Sequence, residues 1–502
     1  MAPSSRAIRL AVVLGVFGAA VSVIGSWIPS LWGDEAASVL SARRPLGSLF
    51  VMLAHVDAVH GLSYFALHFW IRIFGTTPFA ERFPSAIAIG ATVAGVTWLA
   101  SRFGSLRFAA CAGVVTAVIP QLTFAGEEVR AYAFDALLAT AIAVIFAEIL
   151  RHPESARRWW IAYGIVLCAG IYTFLYLGLM FGVVGVALWL TPPLRDQWRP
   201  WLKSSAIAVA CALPVIVFAV IERNQIAFLS TRTITLHEVG VSMWFGHVSF
   251  ALAAWVLIAV AVIGWVRDLR RARSDARPLG PHFELFAVAW LVLPMGILIA
   301  ATPVMAGFTA RYATMSAPAA ALLMAYGIRR LARWTASRWS ARGRVARNWL
   351  PVTATAVVVA LAVPVWASQR SPYAMNHSDW NQISARIAAE ARPGDGILFD
   401  HSAKPSRRPE LAMDTDPASF RNVTNLALHL PYAENTLWTD TVYSVHHAAA
   451  IGRFDGVRRV WLVEYATGAR VDAWGVRELA DLGFHRTRTL REHSSAISLY
   501  ER

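Results

Sequence analysis

The chain has 502 residues, 57% of them hydrophobic and 15% charged, with a mean hydropathy of +0.49. These values exclude a soluble globular protein and place the chain in a bilayer. A net charge of +15 and a pI near 10.4 would suit a nucleic-acid binder, but the arginines stand in short groups between apolar runs, a pattern of membrane topology, so no nucleic acid is expected as a partner. Lysine occurs only as Lys203 and Lys404 beside many arginines and alanines, which points to a GC-rich, bacterial source. Cys111, Cys168 and Cys211 fall in apolar runs, so neither a disulfide framework nor a cysteine metal site is expected.

In chain order, Leu10 to Pro29 follows Arg6 and Arg9 as a signal peptide would. No small-residue cleavage site precedes Asp34, and many apolar runs follow, which makes this segment a first transmembrane helix near 9–29. A helix needs ~20 mostly apolar residues to cross the hydrocarbon. Further runs predict spans near 84–101, 107–122, 132–150, 159–173, 175–191, 204–221, 248–266, 283–302, 312–328 and 350–367, for about eleven in all. The apolar stretch Leu62 to Phe74 is too short to span comfortably and is laid along the outer interface.

The loops between these runs alternate in charge. One set holds 22 basic residues, from Arg6 and Arg9 through Arg102, Arg107, Arg151 and the Arg267–Arg277 group to the seven arginines of Arg329–Arg347. The other set holds eight: Arg43, Arg44, Arg72, Arg82, Arg130, Arg223, Arg232 and Arg311. Because basic loops stay in the cytoplasm, the N-terminus is expected inside and the second set outside, with an odd number of spans carrying the tail outside as well. Residues 1–370 then form a transmembrane module whose first external loop is 30–83, and 371–502 form a small extracytoplasmic α/β domain. Within that tail, Ser378 to Ala391 predicts an amphipathic helix capped by Ser or Asp, Gly396 to Phe399 and Val457 to Val463 predict strands, and Val471 to Leu482 predicts a helix.

The external side gathers the unusual residues. Asp34-Glu35 follows the first span, Asp57 and His60 lie in the same loop, Glu127-Glu128 and Arg130-Ala-Tyr132 separate the third and fourth spans, and Arg311-Tyr312 opens the tenth. Asp135 falls inside the fourth span, where an acid is a functional candidate by default. A sugar transfer from a lipid phosphate needs this inventory. Guanidinium groups stabilise the departing phosphate, with Arg130 and Arg311 as candidates. A carboxylate takes the acceptor's proton, with Asp34 as the candidate. Glu35 would orient the acceptor or a metal, and His60 would bind phosphate or tune Asp34.

Structural readings stand beside these. The acidic pair also fits a solvated helix end, Arg130 and Arg311 fit ion pairs with Glu127, Glu128 or Glu81, and His60 and His68 fit packing at the interface. Tyr64, Trp70 and Tyr172 to Tyr176 fit a membrane-interface belt.

The order of His60-Gly-Leu-Ser-Tyr64, Ile73-Phe-Gly75, Arg82-Phe-Pro-Ser85, Glu127-Glu-Val-Arg130-Ala-Tyr132, Arg311-Tyr312, Asp379-Trp380 and Pro393-Gly-Asp395 after Asp34-Glu35 resembles bacterial members of glycosyltransferase family 39. This is the protein O-mannosyltransferase-like branch of the membrane-embedded GT-C superfamily, and the resemblance covers nearly the whole chain. It implies a GT-C type fold in a bacterial plasma membrane and a polyprenyl-phosphate sugar donor used at the external face. It also implies an envelope glycolipid, glycan or protein as acceptor, and inversion at the anomeric carbon with Asp34 as base and Glu35 in support. Donor phosphate would fall to Arg130, Arg311, His60 and Tyr312, and substrate to Asp57, Tyr64, Glu127, Glu128 and Tyr132.

Gly61-Leu62 replaces the family's twin prolines, a variant associated with actinobacterial sequences, whose decaprenyl-phosphate donors carry mannose or arabinofuranose. No lysine follows the first loop as in the aminoarabinose transferases of lipid A, which argues against that sugar. Metal dependence varies across the superfamily and leaves a divalent ion open. Mannosyl transfer is the first expectation and arabinofuranosyl transfer the second. A polyprenyl-lipid flippase without catalysis would call for inverted repeats with interrupted helices, and a carbohydrate-binding tail would use Trp380, Trp438 or Trp461, for which core packing is the competing reading.

Overall fold

A backbone in hydrocarbon must satisfy its own hydrogen bonds, so apolar runs become helices. The computed structural model describes residues 4–225, 233–274, 283–303, 308–338, 342–466 and 474–502. Six helices are long and apolar enough to cross a membrane: Ser5–Val23, Pro78–Phe103, Tyr132–Arg151, Val248–Ala272, Glu284–Ala301 and Trp349–Gln369. A bent pair, Pro192–Cys211 with Leu213–Ile221, makes a seventh candidate. Shorter apolar helices cover Leu106–Val118 and Leu175–Trp189. The protein is a multi-pass helical membrane protein with a small sheet domain at its C-terminus.

Several runs differ in detail from their sequence expectation. The first helix ends at Val23 rather than near 29, because Gly25 turns at φ +79, a backbone open to glycine at little cost. The run 204–221 is broken by a 57° bend, with Pro214 in the first turn of the second piece, where its ring cannot continue the preceding helix. The run 312–328 starts as a 3-10 turn, Ala310–Ser316, and becomes α-helical only at Ala317. Arg232 and Arg277 lie outside the described residues.

Contacts divide the chain into two units, Met1–Ile24 with Arg82–Ala367 and Gly25–Glu81 with Ser368–Arg502. The first loop therefore groups with the tail. In the helical unit, Ala317–Arg338 packs on Val248–Ser274 closely enough that a Cβ at Gly327 would lie 2.1 Å from the Leu257 carbonyl oxygen. Beyond this crossing, Arg330 bridges Asp268 at 2.6 Å and Glu284 at 3.2 Å, and Arg102 meets Glu148 at 3.2 Å. Arginines of the more basic loop set are thus partly consumed by buried acids.

The tail sheet has five strands, β1 (Asp395–Phe399), β2 (Val423–Asn425), β5 (Arg459–Tyr465), β6 (His485–Arg491) and β7 (Ser495–Glu501), ordered β2-β1-β5-β7-β6. The β2-β1-β5 part is parallel and the β5-β7-β6 part antiparallel. A separate antiparallel pair joins β3 (Leu428–Leu430) and β4 (Thr441–Val442). Leu398, Val460, Leu462 and Tyr500 form its core with Phe454 and Leu479.

The expected tail helix runs over Trp380–Glu390, but Asp379 does not cap it. Its carboxylate instead accepts from the Ser494 amide at 2.7 Å and the Ser495 hydroxyl at 2.9 Å. The last helix is Val476–Asp481, and the first residues of its expected range, 471–473, lie outside the described residues. Trp461 and Trp380 are buried, and Trp438 packs on the Leu49, Met52 and Tyr64 cluster, so core packing accounts for all three.

Two arginines at the end of helix Gly33–Arg43 reach into the tail. Arg43 donates to the carbonyls of Asp414 and Thr415 and to Glu81 at 3.0 Å. Arg44, fully buried, donates to the Asn435 carbonyl at 2.8 Å, to the Leu437 carbonyl and to Ser48. Carboxylates crowd the same region: Glu410 is held by His401 at 2.7 Å and Asn425 at 2.8 Å. Burial first, then Glu410, push the Asp440 carboxyl up to about 7. Burial, with Glu410 and Asp440, holds Asp414 well above the usual carboxylate range against the pull of Arg43.

A carboxyl raised in the fold stabilises it fully below the unfolded value of about 4, and that contribution is lost as pH climbs through the folded value. The melting midpoint of the full chain in detergent should therefore fall by roughly 5 °C between about pH 4.5 and about pH 7.5. Asp440→Asn should flatten that slope; a midpoint that rises over the interval and ignores the substitution would contradict this reading.

Candidate functional site

Asp34 and Glu35 occupy the first turn of helix Gly33–Arg43, where the helix dipole favours negative charge. Asp34 is half-buried and Glu35 fully buried. The acidic pair is therefore no solvated helix end. Glycine is required just before it, since a Cβ at Gly33 would lie 2.2 Å from the Ser406 carbonyl oxygen.

Asp57, His60 and Tyr64 come together in the same unit. Asp57 takes a left-handed backbone at φ +59 ahead of the short turn Ala58–His60. The Tyr64 hydroxyl donates to Asp57 Oδ2 at 3.1 Å, and the His60 ring lies 5.8 Å from that of Tyr64. Tyr64 itself is buried against Leu49 and Met52, so it positions Asp57 rather than facing solvent. His68 is buried with Nδ1 2.8 Å from the Ala42 carbonyl oxygen, a packing role.

In the helical unit, Glu127 and Glu128 are fully buried and Arg130 is half-buried. Arg311 lies 3.5 Å from Glu128 and 5.8 Å from the centre of the Tyr132 ring, with its side chain 30% exposed. Glu81, a third candidate partner, pairs with Arg43 instead. Around Arg311-Tyr312 stand aromatic rings that sequence reasoning assigned to a membrane belt. Phe174 is 4.9 Å and Tyr176 5.1 Å from Tyr312, and Tyr132 is 5.6 Å from Phe174.

The turn carrying Arg311 is locked from behind. The Thr314 hydroxyl donates to the Arg311 carbonyl at 2.6 Å, Gln121 donates to Thr314 at 2.8 Å, and the Trp244 indole donates to the Ala313 carbonyl at 3.0 Å. Gln121, Phe174, Tyr176 and Thr314 were missed because polar and aromatic residues inside apolar runs carry no motif. Asp135 is buried one turn into Tyr132–Arg151.

The arrangement offers a half-exposed guanidinium on a rigid turn, backed by a buried carboxylate and tyrosines, which suits an anionic oxygen arriving from the open side. It also offers a half-buried carboxylate at a helix N-terminus. Among the described residues no three His, Cys, Asp or Glu side chains are placed to hold a metal ion together, and no step below runs through one.

No family model and no curated protein matches the sequence. Solved structures do. ArnT from Cupriavidus metallidurans in the apo state aligns over 97% of this chain and 97% of its own, at 12% identity and a TM-score of 0.55. The same protein bound to undecaprenyl phosphate aligns over the same shares at 12% identity and a TM-score of 0.52. The architecture is of the GT-C type. The archaeal oligosaccharyltransferase AglB from Archaeoglobus fulgidus, in complex with an inhibitory peptide and a dolichol-phosphate, aligns over 91% of this chain and 69% of its own, at 11% identity and a TM-score of 0.49.

Removing one partner of a buried ion pair leaves the other charge stranded, at a cost of about 3 kcal/mol. Arg311→Ala should lower the melting midpoint by several degrees, and adding Glu128→Gln should restore part of the loss. A double variant no more stable than Arg311→Ala would show that the pair carries no structural weight.

Proposed function

We propose that the protein is a membrane glycosyltransferase that moves a sugar, in the first place mannose, from a polyprenyl phosphate to an envelope glycolipid, glycan or protein. The observation that carries this is the alignment over nearly the full length with ArnT, whose solved structure holds undecaprenyl phosphate. The resemblance to glycosyltransferase family 39 and the residues above supply the roles.

In the reaction, the acceptor hydroxyl attacks the anomeric carbon from the face opposite the phosphate. The new bond joins acceptor oxygen to C1, the C1–O bond to phosphate breaks, and polyprenyl phosphate leaves with the bonding pair. The acceptor's proton passes to the Asp34 carboxylate, and a β-linked donor gives an α-linked product. Glu35 and Asp57 orient the acceptor, with Tyr64 holding Asp57. Arg311, Arg130, His60 and Tyr312 meet the charge growing on the phosphate. Glu127, Glu128 and Tyr132 act on the substrate through Arg311, since all three are buried. The protein sits in the bacterial plasma membrane with its N-terminus cytoplasmic and its tail outside.

The test is transfer of label from decaprenyl-phosphate mannose, and in parallel decaprenyl-phosphate arabinose, to envelope lipid extract by the purified protein in lipid nanodiscs. Asp34→Asn should cost roughly 10²- to 10⁴-fold in turnover, and Arg311→Ala roughly 10²- to 10³-fold. Wild-type turnover in Asp34→Asn would remove the base. Labelled lipid crossing proteoliposomes with no glycoside formed would make the protein a flippase.

A further inference from the structure

A cleft of about 290 Å³, open to solvent, lies wholly within the unit that joins the first loop to the tail. Its lining includes Trp32, Gly33, Asn376, His377, Arg407 and Tyr465. Gly33 immediately precedes Asp34, and the segment at Ser406 closes directly on it. An occupant of this cleft therefore rests one residue from the acid assigned as base.

The cleft is built at some cost in backbone energy. Asn376 and His377 are consecutive non-glycine residues in the left-handed region, at φ 52 and 62. Such residues cost of order 1–3 kcal/mol each and persist where surrounding contacts over-determine them, characteristically at ligand sites. Here the His377 carbonyl accepts from the Ser494 hydroxyl at 2.7 Å, and the Ser378 hydroxyl donates to the Leu31 carbonyl at 2.6 Å. Behind His377, His493 stacks at 5.5 Å and is itself stacked on Tyr373 at 4.3 Å. The imidazole at the cleft is thus held in place by a column of rings.

The chemistry of the lining selects the ligand. Asp379 is the only carboxylate in it, and both its oxygens already accept from Ser494 and Ser495, so nothing there attracts a cation. Burial raises the Asp379 carboxyl above its ordinary value. Tyr465 and the edges of Trp32 and Trp380 give apolar surface. Arg407 is exposed, donates to the Tyr465 hydroxyl at 2.6 Å and lies 5.7 Å from its ring centre, leaving guanidinium donors turned to solvent. Aromatic surface with convergent neutral donors and acceptors is the lining of a polyol site. The volume falls at the low end of the ~300–1,000 Å³ of small-molecule sites, which fits one or two sugar rings rather than a long glycan.

We infer that this cleft is the acceptor subsite, binding a neutral saccharide ring next to Asp34. The inference rests on the glycosyltransferase reading for the word acceptor, but the binding itself does not. The test uses saturation-transfer NMR on the full-length protein in detergent, with methyl α-mannobioside and methyl α-arabinofuranobioside as probes. Arg407→Ala removes an exposed side chain, and Asn376→Gly removes a side chain while keeping the left-handed backbone.

Wild-type protein should show saturation transfer to at least one disaccharide, and each variant should weaken its binding about tenfold. No transfer to either disaccharide, or equal binding in both variants, would overturn the inference. Displacement of the disaccharide by inorganic phosphate would make the cleft an anion site and overturn it as well. A protein that binds a disaccharide here but forms no glycoside keeps the subsite and loses the enzyme; one that forms glycoside with unchanged acceptor KM in both variants keeps the enzyme and loses the subsite.

Discussion

Two guanidinium groups at the end of one short helix hold the external half of this protein in order. A buried arginine is tolerated only when its donors are met, and Arg44 meets the carbonyls of Asn435 and Leu437 and the hydroxyl of Ser48. Burial lowers its pKa to about 10, which leaves it charged at neutral pH. Arg43 adds the carbonyls of Asp414 and Thr415 and the carboxylate of Glu81. With its C-terminal end fixed this way, helix Gly33–Arg43 holds Asp34 and Glu35 in one register. The first loop is thereby folded into the sheet domain, although some 330 residues separate them in the chain.

Much of the helical framework was legible from hydropathy, because a bilayer leaves the chain little choice. The breaks were less so. Pro214 and Gly25 are visible in sequence, yet whether a proline bends a span or is absorbed at a helix start depends on neighbours. In the tail, β1 and β5 were found within two residues because they are buried on both faces and read as apolar runs. Strand β6, His485–Arg491, escaped because it is an edge strand exposed along most of its length and carries arginines where a core strand carries valine or leucine. Asp379 looked like a helix cap by position, and only the fold shows that it ties two distant segments together.

The site divides the same way. Charged residues stand out in an apolar sequence, so Asp34, Glu35, Glu128, Arg130 and Arg311 could be singled out, and the pairing of Arg311 with Glu128 was among the alternatives. What sequence could not supply was the support: the Gln121–Thr314 link behind the Arg311 turn, the rings of Phe174 and Tyr176, and the left-handed pair Asn376-His377. These are residue types with no distinctive spacing, and their positions are set by tertiary packing. A guanidinium held against a buried carboxylate on a rigid turn is preorganised for an anion, and preorganisation, not the mere presence of charge, is what lowers a barrier.

The account stands on direct displacement of a lipid phosphate by an acceptor hydroxyl, and displacement leaves a stereochemical record. The most direct measurement is the anomeric configuration of the glycoside formed from a β-linked polyprenyl-phosphate sugar, read from the one-bond carbon–proton coupling at C1. An α-linked product is predicted. A β-linked product would require a covalent intermediate on the enzyme and would contradict the assignment of Asp34 as a general base.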